Sequence, residues 1–434
     1  FGDNTNYSVK IIKEAENKDI RVNGTKFNIN LLQNDSKVME YNDQITGEYK
    51  IGDTVIEDGV IKLDKLEYEG KIKLEINETE AAEGYINNSP NTNVEFNVSL
   101  NREDTENPVL KVSNINSSEG IKTSVDELTR EISITITDKA IMKLNITKTD
   151  EYGNLINGVK FGVTIRSDKD YNKVIDCGTL TTDEYGKIEN VIENTFKDET
   201  IIITLMEEEN EVYNKINPIV IEAHINEKGQ IDADSVKIVS SSSNAELTNK
   251  TAEAIDISII NVISDSQSTY KINILKTDSE DKNTVLSGAL FQVKIKPEVG
   301  TTVYKVASTN EDGELEIGGL FGSGTIKVEA KEIKAPEGYK LGENNGYFSY
   351  EFLREKDVLK LANNNTYDNK LSIDNNNNCV NIQIENTKDN VELIINKIDN
   401  QNELGISGTE LKLTNVDNGK EYTATTNEKG QASF

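Results

Sequence analysis

One strand pattern, in which an alternating apolar face ends in a lysine, occurs four times and constrains the fold most strongly. In residues 271–278, Ile272, Ile274 and Lys276 share one face of the strand, so the lysine points the same way as the apolar side chains. The lysines at the corresponding positions of the other copies are Lys13, Lys148 and Lys397. By subtraction of residue numbers, successive lysines lie 135, 128 and 121 residues apart, which is the size of a domain and too long for a solenoid repeat.

Two more polar positions recur in phase with apolar strand faces. In the middle of each of the first three copies, three alternating apolar residues are followed by a glutamate of the same parity: Glu78, Glu207 and Glu332. Near the end of each copy, a similar face ends in Asp138, Asn261 or Asn386. Each complete copy therefore directs a Lys, a Glu and an Asp or Asn toward its core. The fourth copy stops before these later positions, so Lys397 marks an incomplete unit.

The chain between these positions consists of short, alternating, β-branched runs separated by turn signals such as Asn-Gly and Asp-Gly. This pattern is typical of β-sandwiches and barrels. We predict an all-β fold of tandem transthyretin/Ig-like β-sandwich domains, elongated end to end with brief connections. The predicted units span residues 7–139, 141–263 and 270–388, and residues 391–434 begin a truncated fourth sandwich.

Composition excludes several classes of function. The net charge is −29, with 76 acidic against 47 basic residues, which argues against binding to nucleic acid or to anionic membrane surfaces. No apolar run in the sequence approaches the length of a membrane span, so we expect no membrane insertion. His224 is the only histidine, and Cys177 and Cys379 form no CxxC motif. We therefore predict no metal site and no cofactor.

The recurring Lys, Glu and Asn or Asp can carry out a specific reaction. Burial disfavours charge, so it lowers the pKa of a lysine and raises that of a glutamate. A neutral amine is a nucleophile, and a protonated glutamic acid can relay protons. Attack of the amine on an Asn side-chain carbonyl would release ammonia and leave an amide crosslink, while Asp would release water. The alternative is an ordinary buried ion pair at the rim of each sandwich.

The stretch of residues 332–339, Glu-Ile-Lys-Ala-Pro-Glu-Gly-Tyr, resembles the glutamate box of SpaA/Cna B-type (prealbumin-like) domains of Gram-positive pilins and surface adhesins. Residues 78–85 form a looser copy without the proline, and the box around Glu207 is barely recognisable. The resemblance implies autocatalytic Lys–Asn isopeptide bonds assisted by Glu. Carried over by position, the bonds join Lys276 to Asn386 with Glu332, Lys148 to Asn261 with Glu207, and Lys13 to Asp138 with Glu78.

The resemblance also implies a function, which is a structural stalk of a bacterial adhesin or pilus-like protein that crosslinks itself once and is not an enzyme. It implies an extracellular, cell-wall-attached protein whose partners are host extracellular matrix or other surface subunits. Two alternatives remain open: a module that binds a host matrix protein or glycan, with residues 34–56 as the place to look, or spacer repeats beside a catalytic domain. We expect both ends of the sequence to be cuts from a longer chain that carries the anchor signal.

Overall fold

The protein is described by a computed structural model that covers residues 6–16, 20–51, 53–101, 109–240, 244–362, 370–416 and 419–434. Within these ranges, thirty-four β-strands and one short 3-10 turn are joined by turns and loops, which confirms the predicted all-β fold. Three separate apolar clusters each lie between two β-sheets, as expected of tandem sandwiches. In the part of the chain described, no helix is long and apolar enough to cross a membrane.

The strands of unit one form two facing sheets. They are β1 (Tyr7–Ala15), β2 (Ile20–Arg21), β3 (Lys26–Gln33), β4 (Ser36–Ile45), β5 (Gly47–Ile51), β6 (Thr54–Leu66), β7 (Gly70–Glu80), β8 (Tyr85–Asn87), β9 (Asn91–Asn101), β10 (Val109–Ser117), β11 (Lys122–Asp126) and β12 (Glu131–Asp150). One sheet has the order β5-β6-β1-β12-β11 and the other β10-β9-β7-β3-β4. The stretch of residues 34–56 thus contains β4, β5 and the start of β6.

Unit two uses the second half of β12 as its first strand. Its other strands are β13 (Leu155–Ile156), β14 (Lys160–Ser167), β15 (Val174–Thr181), β16 (Lys187–Glu193), β17 (Glu199–Glu207), β18 (Ile219–Ile225), β19 (Ile231–Ile238), β20 (Ala245–Lys250) and β21 (Ala254–Asn261). The sheets have the orders β16-β12-β21-β20 and β15-β14-β17-β18-β19.

Unit three repeats the same plan. Its strands are β22 (Tyr270–Asp278), β23 (Leu290–Val299), β24 (Val303–Ser308), β25 (Glu314–Leu320), β26 (Ser323–Lys334), β27 (Tyr347–Glu355), β28 (Val358–Leu361), β29 (Leu371–Asp374) and β30 (Cys379–Asn386), with the 3-10 turn at Glu343–Gly346. The sheets are β25-β22-β30-β29 and β24-β23-β26-β27-β28. The remaining residues form β31 (Ile394–Asn396), β32 (Glu410–Thr414), β33 (Glu421–Thr425) and β34 (Gln431–Ser433), paired as β31-β34 and β32-β33.

In all three sandwiches, the first and last strands are parallel neighbours: β1 with β12, β12 with β21, and β22 with β30. Along most of their length both strands alternate buried and half-buried side chains, because one side of each sheet faces the core and the other faces outward. The registers place Lys13 opposite Ile136, Lys148 opposite Ile259 and Lys276 opposite Ile384.

Strand β12 belongs to both unit one and unit two. Its 20 residues run from Glu131 to Asp150 without interruption, so its first half closes one sandwich and its second half opens the next. The predicted boundary at residue 140 falls inside this strand, where a brief connection was expected. No glycine or proline occurs between the two halves. Three consecutive side chains, Ala140 to Met142, are buried at the junction, and the alternation then continues in the same phase.

Unit two contacts unit three along a strand edge. Strand β13 pairs antiparallel with β24, and the Nδ2 of Asn154 donates a hydrogen bond to the carbonyl of Gly318 at 2.8 Å. The ring of Phe321 packs edge-on against Tyr213 and joins the apolar cluster of unit two. Consecutive sandwiches therefore share buried contacts, although each has its own core.

Candidate functional site

The parallel pairing of first and last strands brings the lysine and the amide or acid together in each unit. Lys13, Lys148 and Lys276 have no exposed surface, even though lysine is among the residues least often buried. The partner side chain sits two positions beyond the residue opposite the lysine, on the same face of the sheet. These partners are Asp138, Asn261 and Asn386, which are also buried.

The glutamate reaches the same place from the opposite sheet. Glu78 lies in β7, Glu207 ends β17 and Glu332 lies in β26, and these three strands belong to the second sheet of their units. Each lysine, glutamate and Asn or Asp therefore forms a triad that spans the core from one sheet to the other.

The triad of unit three is hydrogen-bonded throughout. The Nζ of Lys276 donates to the Oδ1 of Asn386 at 2.6 Å and to the Oε2 of Glu332 at 3.3 Å. The Nδ2 of Asn386 donates to the Oε1 of Glu332 at 2.7 Å. The amine thus contacts the amide carbonyl that it would attack, and the glutamate contacts the nitrogen that would leave.

The triad of unit one has the same shape with an acid in place of the amide. The Nζ of Lys13 contacts the Oε2 of Glu78 at 2.5 Å and the Oδ1 of Asp138 at 2.6 Å. The other oxygen of each carboxyl group, Oε1 of Glu78 and Oδ2 of Asp138, is buried without a hydrogen-bond partner. Two acids and one amine share this pocket, so one buried negative charge is in excess if all three groups are ionised.

The triad of unit two is looser. The Nζ of Lys148 is 3.9 Å from the Oε2 of Glu207 and donates to the backbone carbonyl of Ile259 at 3.2 Å. The Nδ2 of Asn261 donates to the Oε1 of Glu207 at 2.5 Å. The Oδ1 of Asn261 and the Oε2 of Glu207 are buried without a hydrogen-bond partner. The three residues are together, but the amine is directed toward the backbone.

Burial shifts the ionisation of these groups in the direction that the chemistry requires. Desolvation lowers the pKa of Lys276 and of Lys148 to about 8, although Glu332 and Glu207 respectively oppose the shift. Desolvation also raises the pKa of Glu207, and it raises that of Glu78 to about 7 against the opposing charge of Lys13. A proton can therefore move from lysine to glutamate at a lower free-energy cost than in water.

A phenylalanine that was not among the predicted site residues lies beside the glutamate of each triad. Phe27, Phe161 and Phe291 pair in register with Glu78, Glu207 and Glu332. The Nζ of Lys13 is 5.5 Å from the ring centre of Phe27, and that of Lys276 is 5.7 Å from Phe291. The ring excludes water and faces the cation with its negative surface. An Asn-Gly or Ser-Gly turn precedes each of these phenylalanines in the sequence, and this recurrence could have indicated that the phenylalanine belongs to the site.

A recurring turn glycine holds the backbone of each lysine. Gly186 and Gly313 have φ angles of +68° and +72°, and a Cβ at either position would lie 2.8 Å from the carbonyl oxygen of Lys148 or Lys276. Both lysine N–H groups donate to the carbonyl of that glycine at 2.8 Å. Only glycine fits this left-handed, closely packed position, so the turns at residues 183–186 (Asp-Glu-Tyr-Gly) and 310–313 (Asn-Glu-Asp-Gly) mark the support of the reactive strand.

The Asp two residues beyond the lysine organises the next turn. Asp150 accepts hydrogen bonds from the backbone N–H groups of Tyr152 and Asn154. Asp278 accepts from the hydroxyl of Tyr339, the last residue of the glutamate box, at 2.9 Å and forms an ion pair with Lys388. The backbone N–H groups of Glu280 and Asp281 also donate to Asp278, and together with Lys388 and Tyr339 they hold the pKa of this carboxyl group well below its usual range. Unit one has Ala15 at this position.

The remaining residues singled out in the sequence lie apart from the triads. Lys397 is exposed, although its backbone N–H donates to Gly430 as in the complete units. His224 is partly exposed and lies 3.8 Å from Asp198. Cys177 and Cys379 are free thiols whose pKa values are raised by burial. Within the described ranges, no group of three or more His, Cys, Asp and Glu is arranged to hold a metal ion.

Residues 270–366 match the family model described as SpaA, a prealbumin-like fold domain. The match contains Lys276 and Glu332 and confirms the resemblance that the glutamate box of unit three indicated. It covers less than half of the chain, so it assigns unit three and not the whole protein. Comparison with curated proteins gives no match.

Among solved structures, the chain is similar to the Bacillus anthracis TIE protein, with 18% identity over 100% of this chain and 67% of that one, at a TM-score of 0.27. It is similar to a streptococcal ancillary pilin, with 13% identity, 88% and 99% coverage, and a TM-score of 0.21. BcpA, the major pilin subunit of Bacillus cereus, shows 16% identity, 88% and 99% coverage, and a TM-score of 0.23. Similarity at these TM-scores carries no argument about function.

Proposed function

We propose that this chain is part of the structural stalk of a Gram-positive surface adhesin or pilus-like protein, built from sandwiches that crosslink themselves. The assignment of residues 270–366 to the SpaA prealbumin-like domains supports the class. Units one and two have the corresponding three residues in the same places, and we therefore include these two sandwiches in the stalk. The protein is exported and attached to the cell wall, and its partners are other surface subunits or host matrix.

The observation that carries the proposal is the geometry of the third triad. The Lys276 Nζ is fully buried and 2.6 Å from the Oδ1 of Asn386, and Glu332 contacts both residues. A lysine that only neutralised a glutamate would not require an amide at this position. The same three positions are filled in unit two and, with Asp138 as the acceptor, in unit one.

The reaction begins when the ammonium of Lys276 passes a proton to the carboxylate of Glu332. The lone pair of the neutral amine then attacks the Cγ of Asn386, and Glu332 returns a proton to Nδ2 as the bond between Cγ and Nδ2 breaks. One ammonia leaves, Nζ keeps one hydrogen, and Glu332 takes up the second proton lost from Nζ. The product is an amide between the first and last strands of the unit.

Units one and two follow the same scheme with different starting geometries. Asp138 loses an oxygen as water, so the bond from Lys13 to Asp138 is the same amide as the bond to an asparagine. In unit two, the Nζ of Lys148 turns from the carbonyl of Ile259 toward Asn261 before it reacts. Each triad reacts once, so the protein is a substrate of its own chemistry and not an enzyme with turnover.

Intact-mass measurement of the folded chain tests this function. The folded protein is expected to be lighter than its sequence mass by two ammonia molecules and one water, and proteolysis should release branched peptides that contain the three lysines. A mass equal to the sequence mass would refute the proposal. The variant in which Lys13, Lys148 and Lys276 are replaced by Arg serves as the control, because it keeps the positive charge but lacks the primary amine.

A further inference from the structure

A loop follows the tyrosine at the end of each glutamate box and passes over the triad. In unit three, Tyr339 pairs with Lys388 and the N–H of Lys340 donates to Thr387, which fixes the loop beside the last strand. In unit one, Tyr85 pairs with Ala140, and in unit two, Tyr213 pairs with Ile263. We call these segments the tyrosine loops: residues 85–90, 213–218 and 339–346.

In two units, the third residue after the tyrosine directs its backbone N–H at the triad. The N–H of Gly342 donates to the Oε2 of Glu332 at 3.4 Å, and this oxygen also accepts from Lys276. The N–H of Asn88 donates to the Oδ1 of Asp138 at 3.4 Å, and this oxygen also accepts from Lys13. The acceptors differ, but the donor comes from the same position of the loop.

Unit two has no such donor within the described ranges. Ile216 occupies the third position after Tyr213, and the two buried oxygens that a donor could reach, Oε2 of Glu207 and Oδ1 of Asn261, have no hydrogen-bond partner. The triad without the loop donor is also the one in which the amine turns to the backbone. Across the three units, the lysine amine therefore contacts its Asn or Asp where the loop N–H donor is present, and it contacts the backbone where the donor is missing.

The tyrosine loop of unit three fits closely against the triad. A Cβ on Gly342 would lie 3.1 Å from the ring of Phe348 and 3.3 Å from the Oδ1 of Asn386. A Cβ on Gly346 would lie 2.6 Å from the carbonyl oxygen of Glu332. Gly342 and Phe348 also line a surface cavity of about 390 Å³.

We propose that the backbone N–H of the third residue after the tyrosine in each tyrosine loop is a positioning donor for crosslinking, present in units one and three and missing from the described residues of unit two. This inference rests on the proposed function. In unit three, the donor holds Oε2 of Glu332 so that Oε1 faces the departing nitrogen of Asn386. In unit one, it polarises the carbonyl oxygen on which negative charge develops during attack.

Replacement of Gly342 by proline tests the donor, because proline lacks the N–H and Gly342 has a φ of −59° that proline accepts. The matched control is Gly342→Ala, which adds a Cβ at the same place but keeps the N–H. The full chain is recovered unfolded in urea, diluted into buffer and quenched at intervals. The branched peptide of each unit is then quantified by mass spectrometry.

We expect unit three of Gly342→Pro to crosslink at least about tenfold more slowly than unit three of Gly342→Ala, since a glutamate that is no longer held in place loses part of the roughly 10²–10⁴-fold that a positioned proton-transfer group contributes. Units one and two of the same chains serve as internal references. In the unchanged chain, unit two should be the slowest of the three. The pH at which the rate of unit three is half-maximal on the acid side should also rise in the proline variant, because the carboxylate loses a donor.

The outcomes separate the two proposals. If no unit of the unchanged chain forms a branched peptide, the proposed function fails. If unit three crosslinks equally fast in the proline and alanine variants, or if unit two is as fast as unit three in the unchanged chain, the loop donor has no role although the function stands. If the proline variant is slower by the same factor at every pH, the loop acts only as packing, and the inference is wrong. If proline prevents unit three from folding, the inference is decided by the crosslinking rates of units two and three in the unchanged chain.

Discussion

The Nζ of Lys13 lies 2.6 Å from the Oδ1 of Asp138, although 125 residues separate them in the chain. Both side chains are fully buried, and the excess of acid over base in this pocket has no counterpart in the other two units. Condensation to an amide would remove one positive and one negative charge from the core at the same time. Burial thus favours the bond in unit one, although the acceptor there is Asp138 and not an asparagine as in the other two units.

Replacement of Asp138 by asparagine should leave the product unchanged. Asparagine would lose ammonia where aspartate loses water, so both chains end with the same amide between residues 13 and 138. We expect the branched peptide from this unit to have identical mass in the two proteins, measured by high-resolution mass spectrometry after digestion. Unequal masses, differing as Asp differs from Asn, would show that the native pair is only an ion pair. Asp138→Ala is the control that cannot form either bond.

Replacement of Glu332 by glutamine should stop the bond of unit three, because an amide cannot take the proton of Lys276. The folded variant should retain one ammonia more than the unchanged chain in intact-mass measurements, after allowance for the substitution. Glu329→Gln is the matched control, since Glu329 lies on the same strand but faces outward and pairs with Lys327. A crosslinked Glu332→Gln chain would show that the carboxyl group is not needed.

The same variant should be less stable in unit three. The bond would close a span of 110 residues, and on the chain-entropy model a crosslink over a loop of about 100 residues contributes roughly 4–5 kcal/mol. Differential scanning calorimetry should therefore show one transition at a lower temperature, while the transitions of units one and two are unchanged. Equal unfolding temperatures for Glu332→Gln and Glu329→Gln would contradict this expectation.

The crosslinking rates of units two and three should fall above a pH of about 8. The pKa values of Lys148 and Lys276 are lowered to about 8, so above that pH each pair has lost the proton that the glutamate returns to the departing nitrogen. On the acid side, the rate of unit two should fall at a pH above the ordinary glutamate value, because burial raises the pKa of Glu207. Refolding at a series of pH values gives the profiles. A rate that continues to rise above pH 9 would identify the glutamate as a base rather than an acid.

Replacement of Gly186 by alanine should disturb the lysine of unit two. Gly178 is a matched control with the same φ of +68° but open space at the position of its Cβ. Gly178→Ala should be destabilised by about 1–2 kcal/mol through the left-handed backbone alone. Gly186→Ala should be destabilised further, since its Cβ meets the carbonyl of Lys148 at 2.8 Å, and its unit should crosslink more slowly. Urea unfolding and branched-peptide yield measure both effects, and equal results for the two variants would exclude this role of the glycine.

The strand faces and the three residue types of each triad could be predicted because period-two alternation determines which side chains face the core. Lys276, Glu332 and Asn386 have the same parity as the buried apolar residues beside them, and burial of three polar groups requires that they meet. The role of Phe291 could not be found in this way, because its contact with Lys276 depends on how the two sheets face each other.

Two other features of the site could not be predicted from the side chains in the sequence. The donor at Gly342 is a backbone group, so any residue except proline would supply it if the loop passes over Glu332. The different hydrogen-bond partners of the Lys148 and Lys276 amines could likewise not be predicted, since both strands have the same pattern up to the lysine. The two amines differ only in the surroundings of the strand, where unit three has the N–H of Gly342 on Glu332 and the amine of Lys148 contacts the backbone of Ile259.

Strand β12 holds both Asp138, the acceptor of unit one, and Lys148, the amine of unit two. If both bonds form, a pulling force applied between Lys13 and Asn261 would pass through the two amides and the ten residue-to-residue steps of backbone from position 138 to position 148. That segment is already an extended strand, and at roughly 3.3–3.6 Å per residue it can lengthen very little. The 249 residues from 13 to 261 would then behave as a nearly inextensible tether about ten residues long, and both sandwiches could remain folded while the tether bears the force.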